Sequence, residues 1–296
     1  MKYPYLFFIF LLFAPYCFAK EAGEVGGQVL KLGGHSRPIG LGEAFVAISD
    51  DVSAIYYNPA GLVQLKDNEI TLTHMNRIID IRSFDFAYAR PLNDSKAFGC
   101  ALYLLYTQDS VRDEITGNET GYFMNYNTYL ILGYAQKTKN LSIGLNSKII
   151  YNQLQDYKSS NVAFDLGTLY IIPNPKLQIG ANLQNIATGL KFTDEIETLP
   201  LNLKAGISYK ALNSHLTLAF DMNKPIDSNS NFSVGGEYLI SRNIFLRMGY
   251  KYKLGGLQGL CCGFGIKHKK YQIDYAFTPH GDLGNTCHRF SFLTRF

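Results

Sequence analysis

Residues 271–296 read YQIDYAFTPHGDLGNTCHRFSFLTRF. Tyr271, Ile273, Tyr275 and Phe277 alternate with Gln272, Asp274, Ala276 and Thr278, so a strand here carries one apolar and one polar face. A polar stretch at 279–286 follows. Then Phe290, Phe292 and Phe296 share one face of a last strand, and the final residue is aromatic. Two alternating strands joined by a long polar loop and closed by an aromatic end predict a membrane-spanning β-barrel.

The same period of two runs back through the chain. Leu201, Leu203, Ala205, Ile207 and Tyr209 alternate with Asn202, Lys204, Gly206, Ser208 and Lys210, and Leu216, Leu218, Phe220 and Met222 alternate with Thr217, Ala219 and Asp221. Strands are expected near 68–75, 81–91, 96–107, 125–136, 140–151, 161–172, 176–186, 201–210, 214–222, 231–240, 243–252, 257–267, 270–278 and 287–296. These are about fourteen segments of roughly ten residues, the length a tilted strand needs to cross a bilayer. A large soluble barrel is the alternative, with the apolar face turned inward.

The connections argue for the membrane. Tight turns at 93–95, 137–139, 173–175, 212–213, 241–242 and 268–269 alternate with longer polar loops near 108–124, 152–160, 187–200, 223–230 and 279–286. Connections near 76–80 and 253–256 belong to the long class by position but fit it poorly. Short turns on one side and long loops on the other imply an integral protein of the bacterial outer membrane, both termini periplasmic. The lipid bilayer is then a partner, and Phe290, Phe292 and Phe296 resemble the insertion signal read by the outer-membrane assembly machinery.

Composition agrees. Tyr and Phe are abundant at 21 and 20, Gly is 27, Trp is absent and charged residues are 18%. No run after the N-terminus is long and apolar enough for a membrane helix. Lys2, the apolar run Tyr5–Ala14 and small residues at Cys17 and Ala19 predict a signal peptide over 1–19, with a membrane anchor or a lipoprotein as alternatives. A net charge of +4 gives no footprint for nucleic acid. Cys100, Cys261, Cys262 and Cys287 lack metal-ligand spacing, and no disulfide among them is predicted. The six His are scattered without a metal or nucleophile–base pattern, so neither catalysis, a metal nor a cofactor is expected.

One stretch breaks the alternation: Ser36–Leu65, SRPIGLGEAFVAISDDVSAIYYNPAGLVQL. It follows a glycine-rich segment at 20–35. Fourteen strands enclose a lumen wider than side chains alone fill, so residues 20–66 are expected inside it as a plug, with the barrel spanning 67–296. Gly40 and Gly42 suggest close backbone contact with a wall. Ser49 or Asp50 is placed to cap a short helix, and Pro59 to hold Asn58 extended and start another turn before Gly61. Arg37, the single Arg of the stretch, is a candidate latch to inward carboxylates (Asp85, Asp165, Asp221, Glu237, Asp274), with a solvated arm as the alternative. Asp50 and Asp51 are either reciprocal anchors to Lys148, Lys204, Arg247 or Arg289, or helix caps. Asp274 and Arg289, inward on neighbouring strands, are expected to form an ion pair.

The plug stretch resembles the N-terminal signature of the PorV/PorQ family, a branch of the FadL-like outer-membrane barrels. LQNIATGLKF, LPLNLKAGISY and IDYAFTPHGDLGNTCHRFSF resemble its later segments. The resemblance implies a fourteen-stranded barrel with an N-terminal hatch, and Asn58-Pro59-Ala60 stands where the FadL relatives carry a hatch NPA: a hinge, or simply a helix start. It implies either a passive conduit for small hydrophobic molecules or, in a type IX secretion setting, a component that binds secreted proteins.

Overall fold

The structure, a computed structural model, describes residues 27–76, 81–113, 116–155, 157–174, 176–187, 190–191, 196–197, 199–253, 259–280 and 285–296. The expected signal peptide lies outside these residues. Sixteen strands are described: β1 Glu69–Asn76, β2 Arg82–Asn93, β3 Lys96–Arg112, β4 Glu119–Thr138, β5 Leu141–Leu154, β6 Tyr157–Ile172, β7 Leu177–Ile186, β8 Leu190–Lys191, β9 Ile196–Glu197, β10 Asn202–Ala211, β11 Leu216–Pro225, β12 Asn231–Ser241, β13 Ile244–Lys253, β14 Gly259–His268, β15 Tyr271–His280 and β16 Asn285–Arg295. Fourteen of them form one closed antiparallel barrel, each strand paired with its neighbours in sequence, and β8 and β9 make a separate two-stranded ribbon between β7 and β10. Closure is made by β1 and β16, in register from Glu69 opposite Arg295 to Asn76 opposite His288. The closed ring leaves no free sheet edge among the described residues of the barrel, as hydrocarbon requires.

The facing is that of a membrane barrel. On β11, Leu218, Phe220 and Met222 are exposed while Thr217, Ala219 and Asp221 are buried. Phe290, Phe292 and Phe296 are likewise on the outside. A soluble barrel would invert this pattern. Cys261 and Cys287 are buried, Cys100 and Cys262 half-buried, and all four are free thiols.

Three of the long loops are shorter than expected. β3 and β4 run on to 17 and 20 residues, leaving the connection 113–118, and β5 and β6 leave only 155–156. Likewise, β15 and β16 leave only 281–284. On β3 and β4 the cause is chemical: Thr107, Val111, Tyr122 and Tyr126, residues that favour strand, continue the ladder beyond the expected strand ends. The four strands form a wall taller than the rest of the barrel.

Residues 29–65 form no strand and lie within the ring, buried against inward residues of both halves of the barrel. Their apolar side chains, among them Leu41, Phe45, Ile48, Val52, Ile55, Tyr57 and Leu62, form the core of the molecule. The barrel's own inward side chains complete it.

Candidate functional site

The luminal segment is built from short turns because its residues are small and its hydrogen bonds are supplied from outside. Ser36–Gly40 and Ala54–Tyr57 are single helical turns, and Pro59–Gln64 is a 3-10 turn. Asn58 is extended (φ −159°, ψ 102°), as a residue before proline must be. Its Oδ1 accepts from Ala60 N at 3.2 Å, and its Nδ2 donates to Val46 O and to Thr168 O of β6, each at 2.9 Å. Asn58-Pro59-Ala60 therefore starts a helical turn and also joins two parts of the segment to the wall.

Glycines set the distance between segment and wall. Gly42 adopts φ +64°, and a Cβ there would stand 2.9 Å from Tyr250 N. On the wall, a Cβ at Gly249 would collide with Leu41 and one at Gly144 with Pro59 and Ala60. A Cβ at Gly61 would collide with Ser49, and one at Gly40 would stand a tight 3.2 Å from Gly263.

A four-residue helix leaves its carbonyls unpaired. Here the wall satisfies them: Asn146 Nδ2 donates to Ile55 O at 2.8 Å, Gln184 Nε2 to Tyr56 O at 2.9 Å and Asn182 Nδ2 to Tyr57 O at 2.8 Å. Asp221 accepts from Phe45 N at 2.7 Å and Val46 N at 2.8 Å, and Ser291 Oγ from Ser36 N at 2.8 Å. None of these wall amides and hydroxyls was singled out by sequence reasoning. The available signal was only that they are polar positions on inward faces, which does not say whose backbone they serve.

Charge is concentrated on the opposite arc. Arg37 Nη1 meets Asp50 at 2.7 Å and Asp51 at 2.6 Å, and its Nε and Nη2 grip Glu237 of β12 in a two-toothed pair, each at 2.8 Å. Glu237 also binds Arg247 at 2.6 Å, and Arg247 binds Asp274 at 2.6 Å. Gln272 donates to Asp274 at 2.8 Å and accepts from Arg295 at 3.0 Å. Arg295 pairs with Glu69 at 2.8 Å, and Glu69 accepts from Val52 N at 2.8 Å. The chain of charges thus leaves the luminal segment at Arg37 and returns to it at Val52. Lys251–Glu43 at 2.6 Å and Lys31–Asp227 add two further ties. Burial pushes the Asp51 carboxyl up, but the Arg37 guanidinium, His35 and the hydrogen bonds from Ser53 and Arg37 together outweigh it and hold Asp51 well below the usual range. Burial also acts to raise Glu43, and Lys251, Lys204 and Arg289 together bring it below its ordinary value.

Two expectations need correcting. Asp274 and Arg289 both face inward but do not pair: Asp274 lies opposite Ser291, and Arg289 lies opposite Ala276, two residues away along the ladder. Arg247 from β13 reaches Asp274 instead, while Arg289 donates to Gly33 O and approaches Met75 Sδ at 2.9 Å. Nor do Asp50 and Asp51 reach the wall cations expected for them. Asp50 meets Lys210 at 3.3 Å, and Asp51 is held by Arg37 while its Oδ1 accepts from Ser53 N at 2.9 Å. Lys148 is taken by Asp165 at 2.8 Å, and Lys204 lies 5.3 Å from the centre of the Tyr57 ring. Register and reach along the strands decide these partners, not facing alone.

The third feature is an apolar strip. Inward residues of β3 are Ala97, Gly99, Ala101, Tyr103 and Leu105, and those of β4 are Tyr129, Ile131, Gly133 and Ala135. Ala87 and Ala89 of β2 and Ile150 of β5 border it. Ile55 and Leu62 of the luminal segment rest on its glycines, so that a Cβ on Gly99 would stand 3.2 Å from Ile55 and 3.3 Å from Leu62. The strip lies on the tall side of the barrel, bordered by inward Asp85 of β2 and Lys148 of β5; the charge network runs over β12, β13, β15, β16 and β1.

With this geometry in view, the comparisons are informative. The model of a family described as "Uncharacterised protein family (UPF0164)" matches residues 18–226. The chain belongs to UPF0164. No curated protein matches the chain. Among solved structures, UPF0164 here is similar to a Pseudomonas aeruginosa FadL homologue (11% identity, TM-score 0.61, covering 88% of this chain and 98% of that one). It is also similar to the Pseudomonas putida toluene transporter TodX (13% identity, TM-score 0.62, 83% and 94%). A third is the Acinetobacter baumannii outer membrane protein Omp33 (6% identity, TM-score 0.50, 78% and 98%). At these identities the likeness is one of fold: this UPF0164 chain has the barrel of bacterial outer-membrane proteins, FadL-like in architecture.

Proposed function

We propose that this protein is a gated passive conduit for small hydrophobic molecules across the outer membrane, and that the arrangement described is its closed state. The observation that carries the reading is the apolar strip under the luminal segment. The inner faces of β3 and β4 carry no acidic or basic side chain from Ala97 to Leu105 or from Tyr129 to Ala135, so a hydrophobic solute crossing them desolvates only the hydroxyls of Tyr103 and Tyr129; the inward charges Asp85 and Lys148 stand on the bordering strands. Ile55 and Leu62 cover this strip, while the latch of Arg37 holds the segment from the other side. Residues 20–66 act as plug, Arg37, Asp50 and Asp51 as its latch, Asn58-Pro59-Ala60 as its hinge, and Gly40, Gly42 and Gly61 as its close-packed seats. The termini and tight turns face the periplasm, the tall wall the exterior. Similarity to hydrocarbon and FadL-type barrels supports the reading.

The test is uptake in an outer-membrane host that lacks its own channel for hydrophobic compounds. Expression should restore uptake of a small aromatic or aliphatic tracer, and Arg37→Ala should raise it further. Uptake equal to that of the empty host, with folded protein present in the membrane, overturns the proposal.

A second reading, in which a PorV/PorQ-type component binds a secreted protein, is favoured by one observation. The extension of the tall wall exposes Val111, Tyr122, Leu154 and Tyr157, apolar groups of the kind that mark a protein contact. Recovery of one stoichiometric protein with the folded barrel, lost when Tyr122 and Tyr157 are changed to Ser, would favour it.

A further inference from the structure

The rim made by the tight turns is basic. Arg90 at the β2–β3 turn, Lys139 at β4–β5, Lys176 at β6–β7, Arg242 at β12–β13, and Lys269 and Lys270 at β14–β15 are all exposed. The remaining tight turn, β10–β11, carries Lys210 and His215. Exposed acids on this rim, among the described residues, are Asp67 and Asp94. None of the six cations makes an ion pair among the described residues. Lys176 Nζ donates to Ser214 Oγ at 2.9 Å and Lys270 Nζ lies 5.3 Å from the centre of the Tyr271 ring. Luminal cations, by contrast, are mostly tied to carboxylates. The basic turns therefore form a ring of unneutralised charge around one end of the barrel.

The height of the ring identifies its partner. Tyr134, Tyr170, Tyr209, Tyr238 and Tyr271 are exposed on the outer face a few residues or fewer before or after these same turns. Outward aromatics of this kind mark the level where acyl chains give way to headgroups. A Lys or Arg just beyond them stands at the height of the phosphates, where each adds to attraction for an anionic surface. We propose that the tight-turn rim binds the headgroups of anionic phospholipids in the leaflet it faces, and that this ring anchors the barrel against vertical displacement. The neutral alternative, lysines kept merely for solubility, does not account for their placement on five separate turns at one level.

The test is lipid retention by the folded protein in mild detergent, offered equal amounts of phosphatidylglycerol and phosphatidylcholine and read by native mass spectrometry. Phosphatidylglycerol should be retained about tenfold over phosphatidylcholine at low salt, falling towards parity at about 0.5 M salt, where screening is nearly complete. The variant Lys139→Gln, Arg242→Gln, Lys269→Gln, Lys270→Gln should lose the preference while keeping the heat-dependent gel shift of a folded barrel. Should the fourfold variant not fold, Lys139→Gln and Lys269→Gln separately should each lower the ratio, by about twofold. Equal retention of the two lipids by the unaltered protein overturns the proposal, as does an unchanged ratio in the folded variants. An acidic protein bound in place of lipid, with no preference between headgroups, overturns it as well.

Discussion

At the scale of single residues, Arg37 is where the luminal segment is most sensitive. Its guanidinium serves three carboxylates, two of them on its own segment, in a nearly dry setting. Arg37→Ala leaves Asp51 and Glu237 buried with a partner removed, a loss of about 3–5 kcal/mol in the docking of the segment. Limited proteolysis of the folded barrel should then cut within 36–65, where the unaltered protein resists. The same latch predicts a pH dependence. Asp51 and Glu43 are held below their ordinary values, so their contribution is fully present above about pH 4.5 and fades as pH falls below about 4 towards the depressed values. Protease resistance of the segment should be flat from neutral pH to about 5 and decline in stronger acid; a decline centred near neutrality would contradict this assignment.

At the scale of elements, the tie at Asn58 outweighs the ring of Pro59. Asn58 makes three buried hydrogen bonds, one within its own turn, one to Val46 O across the segment and one to Thr168 O of the wall. Asn58→Ala should therefore cost about 2–3 kcal/mol, whereas Pro59→Ala should cost under about 1 kcal/mol, mostly through the unfolded chain. Both are measurable as shifts in thermal unfolding of the detergent-solubilised barrel. If Pro59→Ala instead changes tracer uptake with no shift in unfolding, the hinge role is the correct one. The strands were readable because alternation needs no partner to be recognised: Leu218, Phe220 and Met222 declare a lipid face by spacing alone. The upper parts of β3 and β4 were not, because Thr107–Arg112 and Glu119–Asn125 lack a regular apolar–polar alternation and continue as strand by pairing with one another.

At the scale of the whole molecule, the luminal segment is seated on an apolar strip of β3 and β4 and tied by charge to β12, β13, β15, β16 and β1. Changing Gly249 to Val should prevent Leu41 from seating without disturbing the outer face, because the position is inward and in contact with the segment. The expected outcome is a folded barrel with the usual heat-dependent gel shift, an accessible luminal segment and raised tracer uptake. A barrel that no longer folds would instead show that the segment is needed to complete the core, which the position of Phe45, Ile55 and Leu62 at its centre makes an informative result. The orientation has its own check: a cysteine placed at Thr116 should react with an impermeant thiol reagent on whole cells, and one at Asn213 should not.

The sequence by itself determined the barrel, its strand number, its outward apolar face and the presence of a non-strand segment before β1. These follow from local periodicity and turn chemistry, which act over a few residues. What only the tertiary structure decided is the partnership inside the lumen. That Arg37 takes Glu237, that Arg247 rather than Arg289 takes Asp274, and that Asn146, Asn182 and Gln184 close the carbonyls of one helical turn depend on strand register and on where the segment sits. Facing tells which side chains enter the lumen; only closure of the sheet and seating of the segment bring particular atoms within hydrogen-bond reach.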